Sequence, residues 1–229
     1  SLETLKKHQL SREQQERFID MMLNDSKRLE KLINVILEIP ALEKKKIAHH
    51  FEVFEIEPLL QELVQQAREE FKLPQDAIRV SGKASCRCVL DREAFKVVLD
   101  NLIDNSLKYS EGQPDIEMNL SCNDKEFVLT YSDQGIGIPL KEQKNVFRKF
   151  YRANAQRDPS VKGTGLGLYW VWEILKFHRG RISLSNQNQE GGVVFVIRLP
   201  VYTETRQRFF KGLLKKAQKG PLQGEQDHV

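Results

Sequence analysis

The sequence predicts an α+β chain: a two-layer sandwich, one sheet with helices on one of its faces, preceded by a long helix. Three observations carry this. Residues 11–39 hold an unbroken helical pattern. From residue 51 onward, short stretches that alternate apolar and polar residues are interspersed with stretches whose apolar residues recur every three or four positions. Most neighbouring alternating stretches are separated by turn residues, so hairpins join them more often than helical crossovers.

The long helix opens on a capping box, Ser11 with Gln14. Phe18, Met22, Asp25, Leu29, Leu32 and Ile36 alternate four- and three-residue steps, a heptad seam with one polar interruption at Asp25. Met21 and Ile33 widen the stripe beyond a two-stranded seam, which suits a four-helix bundle. One helix cannot bury such a face alone, and the simplest partner is the same helix of a second chain. Residues 1–10 read as the end of a preceding helix and a turn. Pro40 stops the long helix, and Glu43-Lys44-Lys45-Lys46 reads as a solvated linker. The expected organisation is a helical segment at 1–46, the sandwich at 51–200, and a basic tail at 201–229 that is partly disordered.

Inside the sandwich, Pro58 suits the first turn of a helix reaching about residue 71. Short strands are expected at 78–80 and 86–90. Asp91 then caps a helix on which Phe95, Val98, Leu99, Leu102, Ile103 and Ser106 share one face. Two strands follow, on Ile116, Met118, Leu120 and on Phe127, Leu129, Tyr131, joined across Asn123-Asp124. A glycine-containing stretch at 133–139 leads to a short helix around 142–149 and a polar loop at 152–162. Gly163 to Leu168 opens a helix to about residue 178, and a hairpin around Gly191-Gly192 joins strands at 181–185 and 193–199. Phe209, Phe210, Leu213, Leu214 and Ala217 outline an amphipathic helix in the basic tail, read as frayed or weakly docked in preference to membrane-anchoring.

Composition narrows the class. Charged residues are 30% and apolar residues 40%, enough for a core, and the net charge of +4 does not call for nucleic acid. No run is apolar enough to cross a bilayer, and no signal peptide is present. Cys86, Cys88 and Cys122 are odd in number and lack a Cys-x-x-Cys pair, so they read as reduced thiols of a cytoplasmic protein, not as a disulfide or zinc framework. The first residue is Ser, so the chain is read as a piece of a longer protein.

Three motifs carry chemistry. Asn101, Asn105 and Lys108 line one stripe of the capped helix, where amide oxygens and an ammonium can hold a hard cation and phosphate oxygens together. Taken alone the stripe reads more simply as a solvated face. Asp133-Gln134-Gly135-Ile136-Gly137 follows a strand: the carboxylate can accept from an exocyclic amine, and the glycines let the backbone approach a flat ligand. Gly163-Thr164-Gly165-Leu166-Gly167-Leu168 precedes a helix, so its N–H groups and the helix end form an anion cradle. It lacks the Lys-Ser/Thr of a P-loop, and no strand leads directly into it as a Rossmann fingerprint requires.

Singly these motifs are common; their order is specific. Asn-x-x-x-Asn-x-x-Lys-Tyr, strand-Asp-x-Gly-x-Gly, Val-Phe-Arg-Lys-Phe-Tyr-Arg at 146–152, a loop, and Gly-Thr-Gly-Leu-Gly-Leu resemble the N, G1, F and G2 boxes of the ATP-binding domain of sensor histidine kinases. These share a superfamily with gyrase and mismatch-repair ATPases, whose Bergerat-type fold is a mixed sheet with helices on one face. The resemblance covers about 51–200, and the helix at 11–39 resembles the second helix of the dimerisation and histidine-phosphotransfer hairpin. It implies ATP and Mg²⁺ as cofactors. Asn105 would ligate the metal and Asn101 would assist at the phosphates or metal. Lys108 would pair with phosphate, Tyr109 would cover adenine or ribose, and Asp133 would accept from the adenine amine above Gly135 and Gly137. Lys149 and Arg152 would reach the phosphates, and the 163–167 stretch (Gly163, Thr164, Gly165, Leu166, Gly167) would supply a hinge and N–H donors. The resemblance further implies a homodimer through the N-terminal helix and a response-regulator receiver domain as partner, with any membrane anchor upstream.

Two positions depart from the family pattern: Arg148 stands where an acidic residue is usual, and Asn101 where some relatives carry a water-activating glutamate. None of His8, His49, His50, His178 and His228 has the acidic neighbour and following proline of a phosphoacceptor, so no catalytic histidine is assigned. The expected function is γ-phosphate transfer from ATP to a histidine supplied by a segment upstream. The rival readings are a degenerate nucleotide-binding signalling module and a dimerising scaffold.

Overall fold

The computed structural model describes residues 50–110, 112–153, 163–186 and 191–217. The chain divides into two units, Ser1–Ile47 and Ala48–Val229, and every described residue belongs to the second. The heptad helix, the linker at 43–46 and most of the loop expected at 152–162 lie outside the described residues.

Among the described residues one sheet contains β1 (Phe51–Glu55), β2 (Ile78–Gly82), β3 (Arg87–Asp91), β4 (Ile116–Cys122), β5 (Glu126–Asp133), β6 (Arg181–Asn186) and β7 (Val193–Tyr202). Their order is β1-β3-β7-β5-β4-β2, with β6 also paired to β7. The β2–β4 pair is parallel and the others antiparallel, which makes the sheet mixed. β7 organises it. β5 runs along one edge of β7 from Val193 to Pro200, while on the other edge β6 takes Val193 to Arg198 and β3 takes Val201 and Tyr202.

The helices are α1 (Ile56–Glu70), α2 (Arg92–Tyr109), α3 (Leu140–Gln143), α4 (Gly167–Phe177) and α5 (Gln207–Ala217). On α2 the buried residues are Phe95, Val98, Leu99, Leu102, Ile103 and Ser106, the face the three- and four-residue spacing predicts. Asp91 caps the helix by accepting the Ala94 N–H at 3.0 Å, as expected, and its second oxygen takes the His50 N–H at 2.9 Å. The Asp91 N–H in turn donates to Nε2 of His178 at 2.9 Å, while Nδ1 of the same ring lies 2.7 Å from the Ile174 carbonyl. The ring is therefore neutral, with its proton on Nδ1, and it fastens the end of α4 to the start of α2. The two helices consequently run antiparallel, and the start of α4 at Gly167 meets α2 midway along its length, at Asn101.

Strand alternation delivers the site. On β5 Phe127, Leu129, Tyr131 and Asp133 are buried in turn, so Tyr131 and Asp133 face the same way. The apolar pattern ends on a carboxylate at the strand's C-terminal end, on the face that α2 covers.

Three features differ from the sequence reading. β1 is a strand where the sequence reading placed only the start of the domain. The helix expected at 142–149 is one turn, Leu140–Gln143, and turns follow up to Phe150, whose φ of 63° no helix accommodates. The amphipathic stretch at the C-terminus is helical and docked: Phe210 is fully buried and Leu213 nearly so, against Phe51, Val89 and Tyr202. By strand alternation those three residues lie on the face opposite Cys88, Leu90 and Val201, so α5 covers the other side of the sheet at the β1–β3 end. The three thiols are free, and Cys86 and Cys88 are buried.

Candidate active site

The Asp133 carboxylate is 6% exposed and its orientation is fixed by three donors. Oδ1 accepts the N–H groups of Gly135 at 3.0 Å and Val193 at 3.3 Å, and Oδ2 accepts the Ser106 hydroxyl at 2.6 Å. Ser106 also lies 2.7 Å from the Tyr131 hydroxyl. Burial pushes the Tyr131 phenol far above its ordinary pKa, so it keeps its proton. Serine has one proton, and the short contact to a carboxylate claims it. Tyr131 therefore donates to Ser106, and Ser106 donates to Asp133. This relay runs from β5 to α2 and back, and leaves Oδ2 with a lone-pair direction for one further donor.

The glycine stretch after β5 is sewn to its surroundings. The Ile136 N–H donates to the Tyr109 carbonyl at 3.1 Å, and the Gly192 N–H donates to the Gly135 carbonyl at 2.6 Å. A side chain at Gly135 would stand 2.9 Å from the Tyr109 oxygen, so only glycine permits this approach. The Ile138 N–H and the Gln143 amide both donate to Oδ1 of Asn186, at 3.1 Å each, which ties the stretch to β6.

On α2 the Asn101 amide donates to the Val97 carbonyl at 2.8 Å, and its oxygen packs where a Cβ on Gly167 would lie, 2.8 Å away. The Asn105 amide makes no hydrogen bond among the described residues. Lys108 is ion-paired with Asp104, one turn earlier on the helix. At the start of α4, Leu166 precedes the first turn without a side-chain cap, and its N–H is taken by the Thr164 hydroxyl at 3.3 Å. The N–H groups of the first turn have no intrahelical acceptors. Gly165 has φ 71°, and a Cβ there would lie 2.6 Å from the Phe150 carbonyl carbon, so this turn packs directly on backbone.

These pieces surround one cavity of about 160 Å³. Its lining includes Asn101, Asn105, Lys108, Tyr109, Asp133, Gly135, Gly137, Arg152, Gly163, Thr164, Gly165 and Gly167 from the sequence-derived set. Two members of that set stand elsewhere. Lys149 places its ammonium 5.0 Å from the centre of the Tyr169 ring, and Leu166 is a buried packing residue. Asp104, Ile138 and Phe195 line the cavity without having been singled out in the sequence, and Val146 and Leu168 line it from within the sequence motifs, where they had no assigned role. The signal for Ser106 was present: it is the one hydroxyl among six residues of a buried helix face.

Residues 90–203 match the family profile described as histidine kinase-, DNA gyrase B-, and HSP90-like ATPase. The chain belongs to this ATPase family. A curated relative of the ATPase domain, the sensor histidine kinase WalK of Bacillus subtilis (strain 168), is 30% identical over 168 residues. That match takes in 72% of this chain and 28% of the relative, so the chain spans less than a third of that protein. Among solved structures, histidine kinase ThkA in complex with the response regulator protein TrrA superposes with a TM-score of 0.67 at 23% identity, over 88% of this chain and 55% of that one. Full-length ShkA in complex with AMPPNP gives 0.66 at 19%, over 87% and 41%. At those identities the likeness is one of fold.

The ATPase domain's donor set suits a metal that arrives with its nucleotide. Among the described residues no three His, Cys, Asp or Glu side chains gather into a metal-binding group. Mg²⁺ needs none, since it keeps several waters and takes one or two protein oxygens together with substrate phosphates. The Asn105 amide and the cavity face of α2 can supply such oxygens. The uncapped start of α4 supplies what a triphosphate needs.

Proposed function

We propose that the domain binds ATP with Mg²⁺ in this cavity and, within the longer protein, transfers the γ-phosphate to a histidine for relay to a response-regulator aspartate. The observation that carries this is Asp133, a carboxylate locked by Ser106, Gly135 and Val193 with one direction open, in a cavity whose wall also includes the start of α4. Asp133 selects adenine by accepting its exocyclic amine, a contact guanine cannot repeat. Tyr109 and the Gly135–Gly137 backbone flank the ring. Asn105 holds Mg²⁺ with Asn101 nearby, and the metal when bound neutralises phosphate charge. Lys108 exchanges Asp104 for a phosphate oxygen, and Arg152 and the 163–167 turn serve the remaining phosphates.

The transfer itself is positioning and charge neutralisation. The γ-phosphorus gains a bond to an imidazole nitrogen as its bond to the bridging β-oxygen breaks, and ADP leaves. A receiver carboxylate then takes the phosphoryl group from nitrogen to oxygen. We place the domain in the cytoplasm, acting as a homodimer through the N-terminal helix; no helix among the described residues is long and apolar enough to cross a membrane.

His178, the one fully buried histidine described, has both nitrogens committed to backbone groups, so it cannot accept phosphate without breaking the α2–α4 junction. Incubation of this chain with γ-labelled ATP is expected to leave it unlabelled. The longer protein, with its upstream helix, should gain an acid-labile, base-stable phosphate. ATP binding without labelling of the longer protein would favour a non-transferring signalling module. Label on this chain that is lost in His8→Gln would make His8 the acceptor.

A further inference from the structure

At the opposite end of the sheet from the ATPase cavity, three elements meet around a second, wider depression of about 660 Å³. They are the β4–β5 turn, the α4–β6 turn and the start of α5. β5 spans the two sites, with Asp133 at one end and Glu126 at the other, roughly 24 Å apart along the strand. Lys125, Arg179, Arg181, Arg198 and Arg206 line this depression with Phe209, and Asp124 and Glu126 are the acidic groups there.

We infer that this groove binds an oligophosphate, a ligand with two or more adjacent phosphate groups. Arg181 and Arg198 sit directly opposite each other on β6 and β7, hence on the same face. Like charges so placed oppose each other and weaken a sheet. Glu126 answers Arg181 at 2.8 Å, and Arg198 makes no ion pair among the described residues. An anion between the two guanidiniums removes the repulsion.

Arg179 supplies the second observation. It has φ 56° immediately after the α4 cap, where glycine is the usual residue and any other side chain is strained. That conformation sets the Arg179 guanidinium 4.3 Å from the Phe209 ring centre, with Arg206 5.4 Å from the same ring. Arg206 is further held by the carbonyls of Lys125 and Val201, at 2.8 and 3.0 Å. Both forks are fixed before any ligand arrives, and their unused N–H edges suit the bidentate geometry of phosphate.

The test is calorimetric titration of the whole chain with tripolyphosphate, comparing the unmutated protein, the Arg181→Gln/Arg198→Gln double variant and Asn105→Ala. Affinity should fall roughly tenfold or more in the double variant and stay unchanged in Asn105→Ala, while Mg·ATP affinity is unaffected in the double variant. Loss in Asn105→Ala alone would place the anion in the ATPase cavity and overturn the inference. So would tighter binding of an oligoglutamate peptide than of tripolyphosphate. Co-sedimentation with phosphatidylcholine vesicles containing phosphatidylinositol 4,5-bisphosphate, lost in the double variant, would identify a lipid source for the phosphates; binding of tripolyphosphate alone would identify a soluble one. Failure of both ligands to bind would refute the site.

Discussion

Replacing Ser106 by alanine isolates the device that orients the adenine-side carboxylate. The substitution deletes the 2.6 Å hydrogen bond to Asp133 and strips the fully buried Tyr131 hydroxyl of the partner 2.7 Å away. A hydrogen bond to a charged group contributes about 1.5–3 kcal/mol, and an orphaned buried hydroxyl costs about 1–3 kcal/mol. Alanine returns about 0.5 kcal/mol through helix propensity. The net expectation is a loss of about 2–5 kcal/mol, with ATP affinity falling roughly tenfold as Asp133 gains freedom. Urea denaturation and calorimetry measure the two effects. The double variant Ser106→Ala/Tyr131→Phe removes the orphan as well, so it should be more stable than the sum of the single losses implies. Strict additivity, or a single variant within about 0.5 kcal/mol of the parent, would refute the relay.

Gly165→Ala forces a left-handed alanine against the Phe150 backbone and should destabilise the domain by at least about 1–2 kcal/mol, read by thermal denaturation. Phe210→Ala empties a fully buried site under α5 and should cost about 3 kcal/mol in urea; a loss under about 1 kcal/mol would show that α5 is not part of the core. Asp104→Asn frees Lys108 and removes a negative charge from the cavity wall, so Mg·ATP should bind about two- to fivefold tighter by titration. Weaker binding would place that carboxylate on the ligand's side.

What could be read from the sequence was local or ordered along the chain. The buried face of α2, its Asp91 cap, the β4–β5 alternation and the order of the four boxes all rest on spacing within a few residues. What could not be read depends on elements distant in sequence. Ser106 meets Asp133 across 27 positions, so its role depends on how β5 lies beneath α2. Phe150 leaves the helical region because Gly165 packs on its backbone, which no local propensity encodes. β1 is an edge strand of five residues whose outer side is covered by α5, and neither fact alters its local pattern. Asp104 was visible only as half of an ordinary one-turn ion pair.

The central claim is a Mg·ATP site built on Asp133 and Asn105. Calorimetric titration with ATP in Mg²⁺, on the parent chain and on Asp133→Ala and Asn105→Ala, tests it most directly. The parent should bind, and both variants should bind much more weakly, by roughly tenfold or more. Asn105→Ala should also lose most of the dependence on Mg²⁺. Equal ATP affinity in all three proteins, each shown folded by circular dichroism, would contradict the account.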